Sequence, residues 1–504
     1  MGAWLLTGVK RYPGDSRQRF DLRIDDDRIT CWSGAGQGDR RSARVLDLDD
    51  CWVLPGFVDS HLHLLYSLEH LQQCKLEGLS LDSVATSIAT GQAGPRIGHG
   101  WKDPLPALMD PDPRRFLDSI TCDDPVFLWN SDHHRALVNS EALRIAGVEI
   151  ESHQGIVVEE AAEHIWSMIP RNSGGDATGA ARWLLEHGIT AATTFDRADS
   201  IRILSEASSD GQLGVRIRHG LPEDDFLCAI DCGETCLPVG TREDPFAMPW
   251  VKIFLDGTLG SRTAWLKSDY SDDPGNRGVV RKSGEDLDRI VLLAAQHGWA
   301  VAIHAIGDAA VEEANRAISI VRSNRKIDLP DRIEHCQLVD PDALDAIRST
   351  GAIASLQPCH LYQDRQILDE RWGSRASYAF ALSSIDAAGI PIVLGTDSPI
   401  ESADPWSDID AAVHRLDRDR KGTCYGPQER VGFECAFNWC TAGAAKANFL
   451  PQDWGTLEPG TAADLQILAV ESPEQVRCLS DANLMDVYSM GSWRLERFGA
   501  ADES

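Results

Sequence analysis

Eight short apolar segments in the middle of the chain, separated by helical patterns, most strongly limit what this sequence can fold into. Repeated alternation of an apolar strand with a helix is typical of βαβ units that build a parallel sheet. Helical patterns over 285–297 and 308–323 occupy two of the intervals. Eight such strands predict an α/β fold of the (β/α)8 TIM-like barrel type. The predicted strands are Trp52–Val58, Ile189–Thr194, Val215–His219, Val251–Leu255, Ala300–Ile303, Arg332–Glu334, Ala352–Leu356 and Pro391–Leu394.

The chain has 504 residues, more than the roughly 250 that a typical barrel of this kind needs, so further parts are expected. Residues 1–54 and 440–504 both consist of short strand patterns and turns, which predicts one small β-sandwich assembled from the two termini. The barrel then comprises 55–439. Within it, 66–180 is too long for a single strand-to-helix connection and is expected to form an inserted lid or cap.

The charge balance limits the partners that the protein can have. With 48 basic and 78 acidic residues the formal net charge is −30, and no basic stripe offsets it. This argues against nucleic-acid and anionic membrane partners. The N-terminus lacks the basic and apolar segments of a signal peptide, and no apolar run reaches the roughly 18 residues of a membrane span. Thirteen cysteines without CxxC spacing favour free thiols, so we expect a cytoplasmic protein.

Six potential metal ligands lie in or directly after the predicted strands. His61 and His63 form a His-x-His pair at the end of the first strand, and alternation along a strand puts both on one face. At the C-terminal end of a barrel that face is where active sites are built, and imidazole is a common ligand for zinc. The six residues are His61, His63, Lys252, His304, His335 and Asp397.

Each of these residues also has an ordinary structural explanation. Lys252 lies in an otherwise apolar strand, where an ammonium is costly to bury. It is therefore either a salt-bridged lysine or one that loses its proton and reacts with CO₂ to give a carbamate ligand. His304 and His335 could be satisfied histidines at the barrel mouth, and Asp397 could cap a turn. Their joint occurrence at the ends of five strands favours one shared metal site.

Longer segments around these residues resemble the amidohydrolase superfamily, and within it the branch of N-acyl and N-formyl amide hydrolases called the amidohydrolase 3 family. The similar segments follow the family's order over nearly the whole chain. The Pro-Gly-x-x-Asp-x-His-x-His and Val-Lys-x-x-x-Asp-Gly blocks are the most specific. The segments are PGFVDSHLH (55–63), WVKIFLDGTLGSRTA (250–264), AIHAIGDAA (302–310), RIEHCQ (332–337), SLQPCH (355–360), GTDSP (395–399) and GTLEPGTAADLQIL (455–468).

The resemblance implies a role for each potential ligand. His61 and His63, together with Asp397, would hold the more buried of two divalent metal ions. His304 and His335 would hold the second ion. Zinc is the expected metal, although histidine and carboxylate ligands also suit iron, manganese and cobalt.

The resemblance also implies a reaction. Carboxylated Lys252 would bridge the two ions, and a hydroxide shared by them would attack a substrate carbonyl. Asp397 would act as general base and then return the proton to the leaving amine. The expected activity is hydrolysis of a non-peptide carbon–nitrogen bond in a small linear amide, an N-acyl or N-formyl amine.

Three residues are candidates for substrate binding. His360 and Arg262 could orient the substrate or its oxyanion, although a plain loop residue and a salt-bridged arginine explain them equally simply. The insertion segment LWNSDHHRALVNSEAL resembles the family pattern Asp-Gly-His-x-x-x-x-Asn-Ser-x-Ala-Leu. His134 matches the histidine of that pattern, whereas His133 replaces the glycine. Residues 153–162 are shorter than in the family, which could alter the substrate cavity.

Several alternatives stay open at this point. Asp59 and Glu334 adjoin predicted ligands and could accept from histidine N–H groups, or be ordinary carboxylates. Other candidate functions are a mononuclear deaminase or cyclic-amide hydrolase of the same superfamily, or a non-catalytic scaffold. Mononuclear deaminases usually lack the bridging lysine and have His-x-x-Glu after the fifth strand, where His304 is followed by Ala-Ile-Gly. A scaffold predicts lost ligands, yet all six are present. The family also suggests a homodimer.

Overall fold

The structure is a computed structural model, and it describes residues 2–71, 73–90, 94–109, 112–131, 133–150, 153–170, 176–233, 238–322 and 329–495. The chain divides into two compact units. The first comprises Met1–Leu65, Asp176–Asp256 and Trp265–Ser504, and the second comprises Tyr66–Gly175 and Gly257–Ala264.

A parallel eight-stranded sheet lies at the centre of the first unit, and its strands follow one another in chain order. The Asp397 N–H donates to the His61 carbonyl (2.7 Å) and the His63 N–H to the Ser398 carbonyl (2.8 Å), which joins the segment after the last strand to the first. This arrangement confirms the predicted barrel. Its strands are β1 (Phe57–Leu62), β2 (Ile189–Thr194), β3 (Arg216–Pro222), β4 (Phe246–Phe254), β5 (Ala300–Ala305), β6 (Arg332–His335), β7 (Ile353–Leu356) and β8 (Ile392–Leu394).

The barrel strands form where the sequence has continuous rather than alternating apolar character. Nearly every residue of these strands is buried, as expected for a parallel sheet that is covered on both faces. Seven of the eight predicted strands coincide with a single barrel strand. The largest difference among these is at β4, which begins at Phe246 rather than Val251.

The first predicted strand, Trp52–Val58, was wrong as one element. Trp52–Pro55 pairs antiparallel with Leu465–Leu468 in the terminal sheet, and the barrel strand β1 starts only at Phe57. Gly56 separates the two strands, and a Cβ there would lie 2.2 Å from Thr190 Oγ1. The backbone passes from the terminal sheet to the barrel at Gly56. It lies so close to β2 there that only glycine, which has no side chain, fits.

The two ends of the chain form one further β-structure, as predicted. Residues Ala3–Arg11 pair with Phe20–Asp25 over most of their length and with Trp52–Pro55 through Lys10 and Arg11. Buried side chains from both ends share one cluster, which makes the core of the sandwich. The strands are Ala3–Arg11, Phe20–Asp25, Arg28–Gly34, Ala43–Asp47, Trp52–Pro55, Leu465–Leu468, Leu484–Ser489 and Ser492–Trp493.

Helices cover the outside of the barrel strands. Ala198–Ser209 and Glu223–Asp231 pack on β3, and Gly284–Gln296 and Asp308–Arg322 pack on β5. The last two confirm the helices predicted at 285–297 and 308–323, except that Ser323 lies outside the described residues. The helices of this unit are Ala177–Glu186, Ala198–Ser209, Glu223–Asp231, Gly284–Gln296, Asp308–Arg322, Leu344–Thr350, Leu361–Asp364, Leu368–Trp372, Leu382–Ala387, Pro405–His414, Phe433–Trp439, Ala442–Ala447 and Leu479–Ala482.

The second unit has its own sheet and two apolar clusters. Along Val126–Asn130, Phe127 and Trp129 face one cluster while Val126 and Leu128 face the other, so the sheet is covered on both faces. The sheet order is Ile156–Val158, Arg135–Val138, Val126–Asn130, Arg96–Trp101 and Cys74–Lys75. Its helices are Leu64–Leu71, Leu81–Ala89, Leu105–Leu108, Pro113–Ile120, Ser140–Ile145 and Glu159–Met168.

Nothing in the sequence pattern indicated that Gly257–Ala264, which directly follows the β4 region, would cluster with the second unit. Of the helices within the described ranges, none has both the length and the apolar character needed to span a bilayer.

Candidate metal centre

The predicted ligands lie at or just beyond the C-terminal ends of five barrel strands. Because parallel strands end on the same side of the barrel, their side chains meet at one mouth. By strand, they are His61 and His63 (β1), Lys252 (β4), His304 (β5), His335 (β6) and Asp397 (after β8). His360 follows β7 in the short 3₁₀ turn Pro358–His360.

Asp397 is the centre of this arrangement. Its Oδ1 lies 3.4 Å from His61 Nε2 and 3.4 Å from His63 Nε2. Its Oδ2 lies 3.6 Å from His360 Nε2 and 4.0 Å from His335 Nδ1. The candidate ligands form two groups, and Asp397 belongs to both. The first group also contains His61 and His63, and the second also contains His335 and His360. Within each group the ligand atoms all lie within 4.8 Å of one another.

The distances fit a bound divalent ion. Two ligands that each lie about 2.1 Å from a tetrahedral ion are roughly 3.4 Å apart. The separations of His61 and His63 from Asp397 equal this value. In the second group, His335 Nδ1 and His360 Nε2 are buried and make no hydrogen bond within the described residues. Buried polar atoms without a partner are rare, and an ion is one of the usual reasons for them.

The two histidines of β1 are oriented by hydrogen bonds at their other ring nitrogen. His61 Nδ1 lies 2.7 Å from Glu334 Oε2, and His63 Nδ1 lies 3.1 Å from the Phe195 carbonyl oxygen. Carboxylate and carbonyl oxygens only accept, so Nδ1 is the protonated nitrogen and Nε2 keeps its lone pair for a metal. Of the two alternatives left open for Glu334, this contact favours acceptance from a histidine N–H group.

Glu334 is itself held by a buried arginine. The Arg332 guanidinium donates to Glu334 Oε1 (2.7 Å), to the Ser60 carbonyl (2.6 Å) and to Asn448 Oδ1 (2.5 Å), and neither charged side chain reaches solvent. Burial would raise the pKa of Glu334, but Arg332 and His61 outweigh it, so this pKa lies well below its usual value. The carboxylate therefore stays ionised and orients His61.

The Asp59 carboxylate accepts hydrogen bonds mainly from backbone N–H groups, and not from a histidine ring within the described residues. Its carboxylate accepts from the backbone N–H groups of His61 (3.1 Å) and Thr396 (3.1 Å) and from the Thr396 hydroxyl (2.6 Å). Burial raises its pKa to about 7 in spite of these bonds. Asp59 thus connects the end of β1 to the segment that holds Asp397, and the idea that it accepts from a histidine ring is wrong.

Lys252 is almost fully buried, and its Nζ makes no hydrogen bond within the described part of the chain. The amine lies over the rings of Phe195 (4.4 Å) and Phe254 (4.9 Å). Burial lowers its pKa to about 8, against the opposing attraction of Glu334 and Asp397. The salt-bridged alternative is therefore not what the structure contains: no carboxylate of the described residues lies within ion-pair distance of Nζ.

His304 lies beside this group. Its ring is 4.4 Å from that of His335, and its Nε2 is 3.5 Å from Asp256 Oδ1. Asp256 also accepts from the N–H groups of Gly307 (2.8 Å) and Trp265 (2.9 Å). His335, His360 and Asp397 form one of the candidate ligand groups, and His304 adjoins this group through its ring contact with His335.

Burial keeps the imidazoles of His61 and His335 neutral, and its neighbours keep Asp397 ionised. Burial, reinforced by Lys252, lowers the pKa of His61 to about 4, and burial lowers the pKa of His335 well below its usual value. Burial alone would raise the pKa of Asp397, but the surrounding histidines outweigh it and hold this pKa well below the usual range. Neutral imidazoles and an ionised carboxylate are the forms that bind divalent cations.

The backbone at two ligands is unusual. Asp397 has a φ of 55° and His335 a φ of 70°, both in the left-handed region that favours glycine. Gly395 approaches β1 so closely that a Cβ there would lie 2.3 Å from the His61 backbone nitrogen. Such conformations persist where the surrounding structure holds them, which is common at functional sites.

The remaining predicted site residues belong to the second unit. His134 Nδ1 lies 2.9 Å from Glu159 Oε2, an ion-pair contact if the ring is protonated. Arg262 has a φ of 56°, and its backbone N–H donates to the Leu259 carbonyl (3.1 Å).

Sequence reasoning left two residues of this centre without a role. Arg332 and Asp256 are fully buried and position other site residues. The sequence carried a signal for both, because Arg332 is a charged residue in an apolar strand and Asp256 is the aspartate of the Val-Lys-x-x-x-Asp-Gly block. His360, a candidate for substrate binding, stands 3.6 Å from Asp397, close enough for both side chains to contact one ion.

The fold and the ligand set define a known class of protein. The amidohydrolase family profile matches residues 44–487, and the chain belongs to this family. The resemblance seen in the sequence is thereby confirmed. Family, fold and ligand types together define a metal-dependent hydrolase of the amidohydrolase superfamily.

Individual relatives are similar over most of their length. The chain is 28% identical to the Bacillus subtilis protein YtcJ, over 84% of this chain and 85% of that protein. It is 22% identical to N-substituted formamide deformylase of Arthrobacter pascens, over 91% of each chain. Among solved structures, a metal-dependent hydrolase of uncharacterised activity from Pyrococcus horikoshii OT3 superposes with a TM-score of 0.78 at 26% identity, covering 94% of this chain and 99% of that one.

Proposed function

We propose that this protein hydrolyses the carbon–nitrogen bond of a small linear amide, an N-acyl or N-formyl amine. The observation that supports this most strongly is the approach of three histidine Nε2 atoms to within 3.6 Å of the Asp397 carboxylate, beside a buried lysine that has no hydrogen-bond partner in the described chain. The similarity to a protein named for the deformylation of N-substituted formamides supports the choice of substrate class.

The proposed site holds two divalent ions, with zinc as the expected metal. His61, His63 and Asp397 are the ligands proposed for the first ion, and His304 and His335 those for the second. Ions held in this way supply a nucleophilic water at neutral pH and polarise a carbonyl oxygen.

Carboxylated Lys252 is proposed as the group that joins the two ion sites. A neutral lysine amine attacks the carbon of CO₂, loses one proton and becomes an anionic carbamate. The low pKa of the buried Lys252 makes the neutral amine accessible near neutral pH. Since the Lys252 amine has no hydrogen-bond partner among the residues that the structure describes, no such bond has to break when the carbamate forms.

Asp397 is the proposed general base and acid. During hydrolysis the oxygen of a water bonds to the carbonyl carbon, the carbon–nitrogen bond breaks, and one proton of that water moves to the amine nitrogen. Asp397 takes this proton and returns it to the leaving amine. The Asp397 N–H bond to the His61 carbonyl fixes the carboxylate at the mouth of the barrel. His360, whose Nε2 lies 3.6 Å from Asp397, is proposed to orient the substrate carbonyl.

The first test is the metal content per chain, measured by elemental analysis on protein purified without added metal or chelator. We expect at least two equivalents in the wild type and fewer in Lys252→Ala, with partial recovery of activity on adding short carboxylates. The exposed Lys446 provides a matched control, and Lys446→Ala should keep the wild-type metal content. A Lys252→Ala protein with the wild-type metal content and full activity would refute the bridging role.

The same preparation tests the reaction class. A panel of N-formyl amines, N-acyl amines, cyclic amides and aminated heterocycles should show turnover mainly with the linear amides. A metal content that is unchanged in Lys252→Ala, together with release of ammonia from heterocycles, would support a mononuclear deaminase. No ion after incubation with zinc and bicarbonate would support a non-catalytic scaffold.

Substrate binding by His134 and Arg262 is part of the proposal. Conservative variants, His134→Gln and Arg262→Lys, are expected to raise KM more than they lower kcat. A loss of kcat at constant KM would contradict a role in substrate binding.

A further inference from the structure

Three histidines of the second unit come together in a cluster that the proposed reaction does not use. His70 lies near the end of the helix Leu64–Leu71, His99 lies in the strand Arg96–Trp101, and His133 follows the strand Val126–Asn130. The three residues offer ring nitrogens that all lie within 4.8 Å of one another. The rings of His70 and His99 are only 3.3 Å apart between centroids.

The cluster contains polar atoms that nothing in the described chain satisfies. His70 and His99 are 7% and 8% exposed. His70 Nδ1 and His99 Nε2 are buried and have no hydrogen-bond partner among the described residues. Buried ring nitrogens normally find a partner, so two unpartnered nitrogens in one cluster are consistent with a bound ligand.

The third histidine is held in place by its neighbours. The Tyr66 hydroxyl lies 2.8 Å from His133 Nδ1, and the Trp129 ring stacks on the His133 ring at 5.6 Å with an angle of 20° between the planes. His133 also has a φ of 57°, a conformation that favours glycine. A bulky residue kept in this conformation, with its ring fixed on both sides, is consistent with a side chain that is required for binding.

The charge state of the cluster suits a cation. Burial, with His99 and Lys75 nearby, lowers the pKa of His70 to about 3. Burial and Lys75 lower the pKa of His99 to about 4, against the opposing effect of Glu77. Both rings are therefore neutral at physiological pH, and the neutral imidazole is the form that binds a metal.

We propose that His70, His99 and His133 bind one divalent transition-metal ion, with zinc as the expected ion, in the second unit of the fold. Three neutral imidazoles suit zinc, copper and nickel and are poor ligands for calcium or magnesium. Three protein ligands leave a coordination position open for water or another small ligand. This ion shares no ligand with the barrel centre, so its presence does not depend on the proposed hydrolase reaction.

The test compares the zinc content of wild type and variants after loading with excess zinc and removal of unbound metal. His133→Gly removes one ligand and places glycine where the backbone φ favours it, so the fold should be retained. His99→Gln removes another ligand. Both variants should contain about one equivalent of zinc per chain less than the wild type. His164→Gln, in the same unit but outside the cluster, should lose none.

Cobalt provides a second readout that does not involve activity. Loading with Co²⁺ instead of Zn²⁺ should give a visible absorption that loses one component in His133→Gly, while circular dichroism shows the fold unchanged. Lys252→Ala should keep the ion of the histidine cluster. The double variant with Lys252→Ala and His133→Gly should therefore lose the sum of the metal lost by the two single variants. Equal zinc content in wild type and His133→Gly would overturn the proposal, whatever the barrel centre contains.

Discussion

Replacing Lys252 with methionine should stabilise the metal-free protein although it removes a proposed ligand. Burial lowers the pKa of this lysine from 10.5 to about 8. One pKa unit corresponds to about 1.4 kcal/mol. At pH 7 the buried ammonium therefore lowers the free energy of unfolding by roughly 3 kcal/mol, and methionine, of similar shape and without charge, should recover most of it.

The sign of the pH dependence follows from proton binding. Between pH 8 and 10.5 the unfolded chain binds more protons at Lys252 than the folded chain, because the folded pKa is the lower one. The destabilisation of the fold by this lysine is therefore fully present below about pH 8, and it disappears as the pH rises to about 10.5. The advantage of Lys252→Met should be about 3 kcal/mol at pH 7 and close to zero near pH 10.5.

The assay is urea unfolding of chelator-treated protein in CO₂-free buffer, followed by circular dichroism at a series of pH values. Lys446→Met, a change at an exposed lysine, is the matched control and should show no such trend. If Lys252→Met is less stable than the wild type at pH 7, or if its advantage does not shrink as the pH rises, then burying this amine does not destabilise the metal-free fold.

Four further outcomes are expected. Gly395→Ala would place a Cβ 2.3 Å from the His61 nitrogen and should cost roughly 1–3 kcal/mol in urea unfolding while lowering bound zinc. Asp397→Asn should lower kcat by about 10²–10⁴ in steady-state kinetics with a smaller change in KM. Glu334→Gln leaves the Arg332 charge buried without its partner and should cost roughly 3–5 kcal/mol by the same unfolding assay. Chelation should lower the thermal midpoint, and zinc with bicarbonate should restore it more fully than zinc alone.

Three of these outcomes have a matched comparison. Gly432 has no atom within 4 Å of an added Cβ, so Gly432→Ala should change stability by less than about 0.5 kcal/mol. The double variant with Glu334→Leu and Arg332→Met should be more stable than Glu334→Gln alone, because it leaves no unpaired charge. Equal recovery with and without bicarbonate, or in Lys252→Met as in the wild type, would contradict the carbamate.

The barrel could be predicted because its strands are local features. An apolar run such as Ala300–Ile303 is recognisable without knowledge of its neighbours, and parallel strand order then brings the residues after each run to one mouth. The junction at Gly56 was missed because Trp52–Val58 was taken as one strand, although Pro55-Gly56 interrupts the run. Pairing with the distant strand Leu465–Leu468 shows that its two halves belong to different sheets.

Contacts between positions far apart in the chain were beyond the sequence pattern. His70 and His99 are separated by almost thirty residues of unrelated pattern, and each alone resembles an ordinary histidine of an apolar element. The roles of the two nitrogens of His61 depend on Glu334, which lies on another strand. Periodicity predicts which face a side chain occupies, but it does not specify which atom meets which partner.

Two carboxylates of the barrel centre, Glu334 and Asp397, differ in how their negative charge is compensated. Glu334 is paired with Arg332 inside the barrel, so its charge is neutralised whether or not metal is bound. Among the described residues, the side chains within ion-pair distance of Asp397 are all histidines, and burial keeps two of them, His61 and His335, neutral. Neutral imidazoles at these two positions give the buried carboxylate no compensating positive charge. A divalent ion provides that charge, so metal binding and the stability of the barrel mouth should be coupled through Asp397.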